Sequence, residues 1–385
     1  MDNFLEKILP RDGRFGSGPS KIRPEQMQAI AAAPFGTSHR KPPVKEIVGD
    51  IRSGLTDLFQ LPAGYEVLIG NGGASALWDA VAFNLIEKHA QYAVMGEFSG
   101  KAAHAAQNAP WLETPEVRTT APGTLITNET TAGIDTYLYA HNETSTGVCS
   151  PLRRYGDSAA GADTAAGAAD AAANADAPLT IVDGTSIGGG YVFPASEVDF
   201  YYFSTQKCFG AEGGLWVAFA SPAAVARIEK IAKERWIPDF LNLQIALENS
   251  RKNQTYNTPA IGTLTLLSSQ IKWMLEIGGM EATAARSRAN SQTVYEWAEQ
   301  HPLATPFVKD PAYRSPVVAT VDFAEEVDTK GILQRLRENG ILDIDSYRSL
   351  GRNQFRIGAF PAIDTEDIVK LLQCIDACLP LYTKA

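Results

Sequence analysis

The chain has 385 residues, with 34 Lys and Arg against 44 Asp and Glu, for a net charge of −10. An acidic chain lacks the basic face of a general nucleic-acid binder, and 45% hydrophobic with 20% charged residues exclude disorder or a fibrous architecture for its bulk. No apolar run approaches the roughly 18 residues of a transmembrane helix, so no membrane partner is expected. This length suits about two or three domains. The first residues, Met1 to Lys7, alternate charged and apolar side chains rather than placing a basic stretch before an apolar one. A secretory signal is therefore not expected, and the chain reads as cytoplasmic.

In chain order, Pro24 suits the first turn of a helix through Glu25–Ala33. Tyr65–Ile69 is a short apolar strand ending at Gly70-Asn71-Gly72-Gly73, and a helix pattern follows in Leu77, Trp78, Val81 and Leu85. Tyr92–Met95, Thr136–Ala140, Leu179–Val182 and Phe200–Phe203 are further strands separated by helix-sized stretches, which predicts an α/β fold with a mostly parallel sheet. Residues 157–178 hold 12 alanines, four aspartates and no basic residue, and read as a solvated connection. Beyond about residue 265 the texture changes. Helical Gln270–Gly278 and Met280–Gln300 precede a strand (Val317–Phe323), a helix (Lys330–Asn339), a strand (Gln354–Ile357) and a closing amphipathic helix through Ile368, Leu371, Leu372, Ile375 and Leu379. This pattern predicts a separate α+β domain.

Three fragments point to chemistry. Glycines 70, 72 and 73 between a strand and a helix let backbone approach a phosphate at a helix N-terminus. A plain strand–helix turn would look the same. Asp183, at the end of an apolar strand, points into the crevice where α/β folds bind ligands. A carboxylate there wants a cation, such as a protonated ring nitrogen, unless it merely caps a helix. Lys207 follows a hydrophobic strand in Tyr201-Tyr202-Phe203-Ser204-Thr205-Gln206-Lys207, and a lysine in such surroundings becomes a nucleophilic amine. A phosphate turn, a strand-end Asp and a Lys 24 positions later are the three anchors that pyridoxal phosphate requires.

Beside these fragments stand Phe15-Gly16-Ser17-Gly18-Pro19-Ser20, Thr37-Ser38-His39-Arg40, His141-Asn142-Glu143-Thr144, Asp183-Gly184-Thr185-Ser186, Asn253-Gln254-Thr255-Tyr256-Asn257-Thr258-Pro259 and Gly351-Arg352-Asn353-Gln354-Phe355-Arg356. In order and spacing the whole set resembles the phosphoserine aminotransferases, class-V, fold-type-I pyridoxal phosphate enzymes, and most closely their actinobacterial branch. The resemblance implies a large cofactor-binding domain over residues 20–268 and a small domain from residues 1–19 and 269–385. It implies pyridoxal 5′-phosphate linked to Lys207, which would also shuttle the substrate proton, with Asp183 on the ring nitrogen. Phe98 would stack on the ring, where many relatives carry Trp, and Thr144 would meet the 3′-oxygen. Ala74 and Ser75 would give backbone N–H groups to the phosphate, with Thr185, Ser186 and Gln206 nearby. Asn257 and Thr258 would reach it from the neighbouring subunit of a homodimer. Arg356 would bind the substrate α-carboxylate. His39 and Arg40, from the partner subunit, and Arg348 would meet the second anionic group.

Many relatives have a His-Arg pair where this chain has Tyr347-Arg348, and the spacing to Arg356 is longer, so Arg352 competes with Arg348. The implied reaction moves an amino group from glutamate to 3-phosphooxypyruvate, giving O-phospho-L-serine and 2-oxoglutarate. A related reaction on 4-phosphohydroxythreonine serves vitamin B6 synthesis. The rival readings are an alanine–glyoxylate aminotransferase, a cysteine desulfurase and a non-catalytic scaffold of the same fold. Cys149, Cys208, Cys374 and Cys378 form no CxxC pair and read as core thiols. His89, His104 and His301 lack metal-ligand spacing, so no metal is expected, and Gly188-Gly189-Gly190 reads as a turn because no helix follows it.

Overall fold

The computed structural model describes residues 4–156 and 175–384. Most of the alanine-rich stretch 157–178 lies outside them. In chain order, α1 (Pro24–Ile30) and α2 (Pro42–Leu58) precede β1 (Glu66–Asn71), α3 (Ala74–Asn84), β2 (Ala90–Val94), α4 (Glu97–Gln107), β3 (Glu116–Thr119) and β4 (Thr136–Ala140). A small hairpin, β5 (Asn142–Glu143) and β6 (Val148–Cys149), leads to β7 (Leu179–Asp183), β8 (Phe200–Ser204) and β9 (Leu215–Ala220). Then come α5 (Pro222–Glu234), α6 (Leu243–Ser250), α7 (Ile261–Glu276), α8 (Gly279–Gln300), β10 (Ala304–Pro306), β11 (Val318–Phe323), α9 (Thr329–Glu338), β12 (Gln354–Gly358) and α10 (Thr365–Tyr382).

Seven strands form one sheet in the order β1-β9-β8-β7-β4-β2-β3. Every pair from β8 across to β3 is parallel, and β9 alone runs against both its neighbours. Six strands therefore end at the same edge of the sheet, where an α/β fold places its ligand crevice. Both faces are covered, which is why the strands read as continuous apolar runs. On β8 the alternation is explicit. Tyr201 and Phe203 pack under α2 and α7, whereas Phe200 and Tyr202 pack under α3, α5 and α6. The antiparallel sheet β10-β11-β12 builds a separate core with α8, α9 and α10, which also receives Leu5 and Phe15 of the N-terminal arm. No helix among the described residues is long and apolar enough to cross a membrane.

Several elements depart from expectation, β3 and β10 among them, which no expected strand covers. Helix α1 stops at Ile30, not Ala33. Helix α7 starts at Ile261 rather than Gln270, because Leu264, Leu266 and Leu267 are buried together with Thr263, Thr265 and Ser268. Strand β9 (Leu215–Ala220) is buried along its whole length and carries no alternation that marks it as a strand.

The loop after β8, which carries Lys207, is fixed from below by Gln26. This fully buried side chain donates from Nε2 to the carbonyls of Phe209 (3.2 Å), Gly210 (3.0 Å) and Leu266 (3.1 Å), and its Oε1 accepts from the Arg23 N–H at 2.9 Å. Gln26→Leu leaves those backbone groups unpaired in the core. We expect a loss of about 3 kcal/mol or more in urea unfolding, since each buried unsatisfied group costs roughly 1–3 kcal/mol, together with weaker retention of whatever Lys207 holds. An unchanged unfolding midpoint would contradict this role.

Candidate active site

The shared strand edge gathers three of the sequence-predicted anchors. At the end of β1, Gly72 and Gly73 take positive φ of 117° and 70°, so the chain turns directly into α3. Glycine is the residue that adopts this backbone without strain. The first-turn N–H groups of α3, that of Ser75 among them, have no acceptor within the helix. The Ala74 N–H, however, donates to Ser204 Oγ at 2.6 Å, so an anion using it would displace that hydroxyl.

Lys207 lies in the turn between β8 and β9. Its Nζ donates to the Ser17 carbonyl at 2.6 Å. Ser20 Oγ donates to the Lys207 carbonyl, and the Ser20 N–H donates to the Gln206 carbonyl at 2.9 Å. The N-terminal arm thus wraps the lysine. Gly18 (φ 119°) lies against its methylenes, and a Cβ there would come within 2.4 Å of Lys207 Cδ and Nζ. Burial and the positive charge of Arg356 push the amine down from 10.5 to about 8, against the opposing pull of Cys208 and Asp183.

Asp183 ends β7. Its Oδ1 accepts from the Thr185 N–H at 2.9 Å and its Oδ2 from the Trp78 indole N–H at 3.2 Å. Burial raises this carboxyl, while the hydrogen bonds from Thr185, Trp78 and Tyr202 draw it back down. The Ser186 hydroxyl is spent on Asn142, accepting from its Nδ2 at 2.7 Å, so it faces away. Gln206 Oε1 is buried without a hydrogen-bond partner, whereas the Thr185 side chain adds a hydrogen bond to Asp183. Buried polar atoms are rarely left unpaired. Such an orphan beside a buried amine and a strand-end carboxylate fits a bound polar group such as pyridoxal phosphate.

On the other side, Glu143 is fully buried and organises α4. It accepts from the N–H groups of Phe98 (3.2 Å) and Ser99 (2.9 Å) and from the hydroxyls of Ser99 and Ser145 (2.7 Å each). A carboxylate capping a helix N-terminus suits the helix dipole, and here it fixes Phe98. The Phe98 ring meets Tyr347 edge-on at 5.5 Å. Tyr347 also lies under the Arg356 guanidinium at 5.1 Å. Arg356 sits on β12, donates to the Thr144 carbonyl at 3.2 Å and has a buried, unpartnered Nε. Among the described residues it makes no ion pair. Arg348 follows in a short 3-10 turn, held by Ser349 donating to Glu97 at 3.1 Å. Arg352 is committed elsewhere. Its guanidinium forms a two-point pair with Asp322 (3.0 and 2.5 Å) and stacks on Phe307.

The remaining predicted residues form their own patch. His39 Nδ1 meets Thr258 Oγ1 at 3.3 Å, Arg40 donates to Gln254 at 3.3 Å, and Asn71 at the end of β1 donates to Asn257 Oδ1 at 2.8 Å. None of these hydrogen bonds reaches Lys207, Asp183 or Arg356. Burial and Arg40 together hold the His39 ring below its usual range.

Sequence reading missed Ser17 as a partner of the lysine, Glu143 as the cap of α4, and Trp78 as a donor to Asp183. Motif membership signalled the first two, and nothing in the sequence singles out the third. The four cysteines are free and buried. Burial pushes Cys149 up to about 12 and Cys374 to about 11 and raises Cys208 and Cys378, so none offers the thiolate of a desulfurase.

An amine, a carboxylate and a helix N-terminus at one sheet edge are the anchors of a pyridoxal phosphate enzyme, and comparison with known proteins agrees. The class-V aminotransferase profile matches residues 21–344. The phosphoserine aminotransferase of Corynebacterium glutamicum (strain R) is 50% identical over 377 residues, 97% of this chain and 96% of its own. That of Rhodococcus opacus (strain B4) is 48% identical over 373 residues, 96% of this chain and 95% of its own. A crystal structure of a phosphoserine aminotransferase from Cytophaga hutchinsonii superposes with a TM-score of 0.82 at 25% identity, covering 95% of this chain and 99% of that one. The chain belongs to the class-V aminotransferase family. It is a pyridoxal 5′-phosphate-dependent aminotransferase of fold type I.

The depressed Lys207 amine has a measurable consequence. A cation whose pKa falls to about 8 is about one-tenth neutral at pH 7, against roughly 0.03% for an ordinary lysine. In cofactor-free protein, the rate at which an amine-selective reagent labels Lys207 rises with pH through a midpoint near 8 and then levels off. Arg356→Met moves that midpoint upward, because it removes a neighbouring positive charge. A wild-type midpoint above 10 would refute the environment described.

Proposed function

We propose that the chain transfers the amino group of glutamate to 3-phosphooxypyruvate, giving O-phospho-L-serine and 2-oxoglutarate in two ping-pong halves. This is the transamination of serine biosynthesis, placed in the cytoplasm. The observation that carries the reading is Arg356, a half-buried guanidinium outside any ion pair among the described residues, close to the Lys207 amine, with Arg348 likewise outside any ion pair. Such a guanidinium binds a carboxylate through two parallel hydrogen bonds. Glutamate and phosphoserine each carry an α-carboxylate and a second anion, so one cation is not enough. Arg348 from this subunit, with His39 and Arg40 from the partner, supply the rest. The same cations accommodate 4-phosphohydroxythreonine, which adds vitamin B6 synthesis as a second role.

In this reading residues 20–268 hold the cofactor, residues 1–19 and 269–385 form the small domain, and the substrate enters between them. Bound pyridoxal phosphate supplies an electron sink for the negative charge developing at the substrate Cα. Lys207 Nζ would hold the cofactor and, once freed from it, would serve as the base that takes and returns the substrate proton. Asp183 would pair with the ring nitrogen. Phe98 would cover the ring face, and Thr144 would meet the 3′-oxygen. Ser75, Ala74, Gln206 and Thr185 would hold the phosphate, Thr185 in preference to Ser186, whose hydroxyl is spent on Asn142. Arg356 orients the α-carboxylate. Arg352 plays no part, since Asp322 already neutralises it.

A homodimer completes the site through Asn257 and Thr258. The exposed aromatics Trp236 (79% exposed), Phe240 (49%) and Tyr256 (41%) support this, since they are unusual on a solvated surface and Tyr256 adjoins Asn257.

Three experiments test the proposal. The holoenzyme's visible absorption band shifts to shorter wavelength on adding glutamate. Activity toward 3-phosphooxypyruvate then exceeds that toward pyruvate or glyoxylate by at least 100-fold, and Arg40→Ala removes most of that preference. Equal turnover of glyoxylate would replace this reading with an alanine–glyoxylate aminotransferase. Mixing inactive Lys207→Ala chains with Arg40→Ala chains, which are impaired toward 3-phosphooxypyruvate, restores about a quarter of wild-type activity toward that substrate, because half the dimers are mixed and each has one complete site. No recovery would place His39 and Arg40 in their own subunit's site.

A further inference from the structure

Asp183 needs more than its place on β7. A carboxylate rotates freely about its last bond, yet a salt bridge to a ring nitrogen requires one lone pair held at a fixed direction. The Thr185 N–H takes Oδ1 at 2.9 Å, and the Trp78 indole takes Oδ2 at 3.2 Å, from a helix 105 residues away in sequence. An indole N–H only donates, so it can stabilise the ionised carboxylate but cannot accept from the protonated acid. Trp78 lies three residues after Ser75, hence on the same face of α3, and both line the groove between α3 and α4.

We propose that Trp78 is a positioning residue for the cofactor: its indole N–H fixes the rotation of Asp183 toward the ring nitrogen, and α3 thereby registers the two ends of the cofactor from one rigid element. The N-terminal turn holds the phosphate, and one turn later the indole holds the carboxylate. The inference rests on the assignment of Asp183 made above. The other titratable groups facing Asp183 are Tyr201 and Tyr202 from β8 and Lys207 from the turn that follows it. Tyr202 also hydrogen-bonds the carboxylate, and its hydroxyl is a second partner of the Trp78 indole.

The test compares wild-type holoenzyme with Trp78→Phe, Trp78→His and Asp183→Asn, measuring cofactor dissociation by filtration and the pH midpoint of the visible band. Trp78→Phe keeps an aromatic ring and loses the donor. It should release cofactor about tenfold more readily and shift the midpoint, with kcat lowered and KM for glutamate unchanged, while Trp78→His, which keeps a ring N–H, recovers most of the loss. Equal losses in the Phe and His variants, or a Phe variant indistinguishable from wild type, overturn the inference. If Asp183→Asn weakens cofactor retention and Trp78→Phe does not, only the role of Trp78 falls. If Asp183→Asn retains cofactor like wild type, the assignment of Asp183 falls and this inference with it. Should the Trp78 variants fold poorly, the wild-type holoenzyme labelled with 15N at its six tryptophans still decides. One indole N–H resonance should move when Asp183 becomes Asn, and six unmoved resonances refute the contact.

Discussion

The burial of the Lys207 amine is the constraint from which the rest of the site follows. An ammonium removed from water must meet a counter-charge or lose its proton. Its contact here is the Ser17 carbonyl, an acceptor that satisfies the neutral amine as well as the charged one. Arg356 stands close enough to push the proton off, and Asp183 pulls the other way. In the proposed role of Arg356, the guanidinium that would receive an anionic substrate also keeps the nucleophile ready. A carboxylate settling on Arg356 would offset the push, so the amine would become a stronger base once substrate is present.

The fold places these charges without strain because six strands end at one edge. Asn71, Asp183 and the turn after β8 all arrive there from the backbone alone. The smaller sheet contributes from across the crevice through Arg356, and Tyr347 sits between that guanidinium and Phe98. Two aromatic contacts thus carry the position of Arg356 onto the Phe98 ring.

The parts legible in sequence were those set by local rules. Thr136–Ala140 and Phe200–Phe203 read as strands because both faces are buried, and Asp183 and Lys207 stood out as polar residues at the ends of such runs. Strand β9 escaped notice because six consecutive buried residues carry no period. The start of α7 was hidden because threonines and serines interrupt a helix buried almost all round. The resemblance supplied the list of arginines, but only the pairing with Asp322 separates Arg352 from Arg348. Trp78, Ser17 and Glu143 act through partners between 44 and 190 positions away, and no spacing along the chain encodes such meetings.

The N-terminal arm bears on how the enzyme is made. Phe15 accepts from the Gly358 N–H at 2.7 Å, and the Gly13 carbonyl accepts from Leu342 at 2.8 Å, so the arm that closes over Lys207 is anchored to the last strand of the chain. The contacts that anchor residues 13–15 therefore form only after β12 has been made, so the cover over Lys207 is completed late even though Ser20 can already dock on the turn.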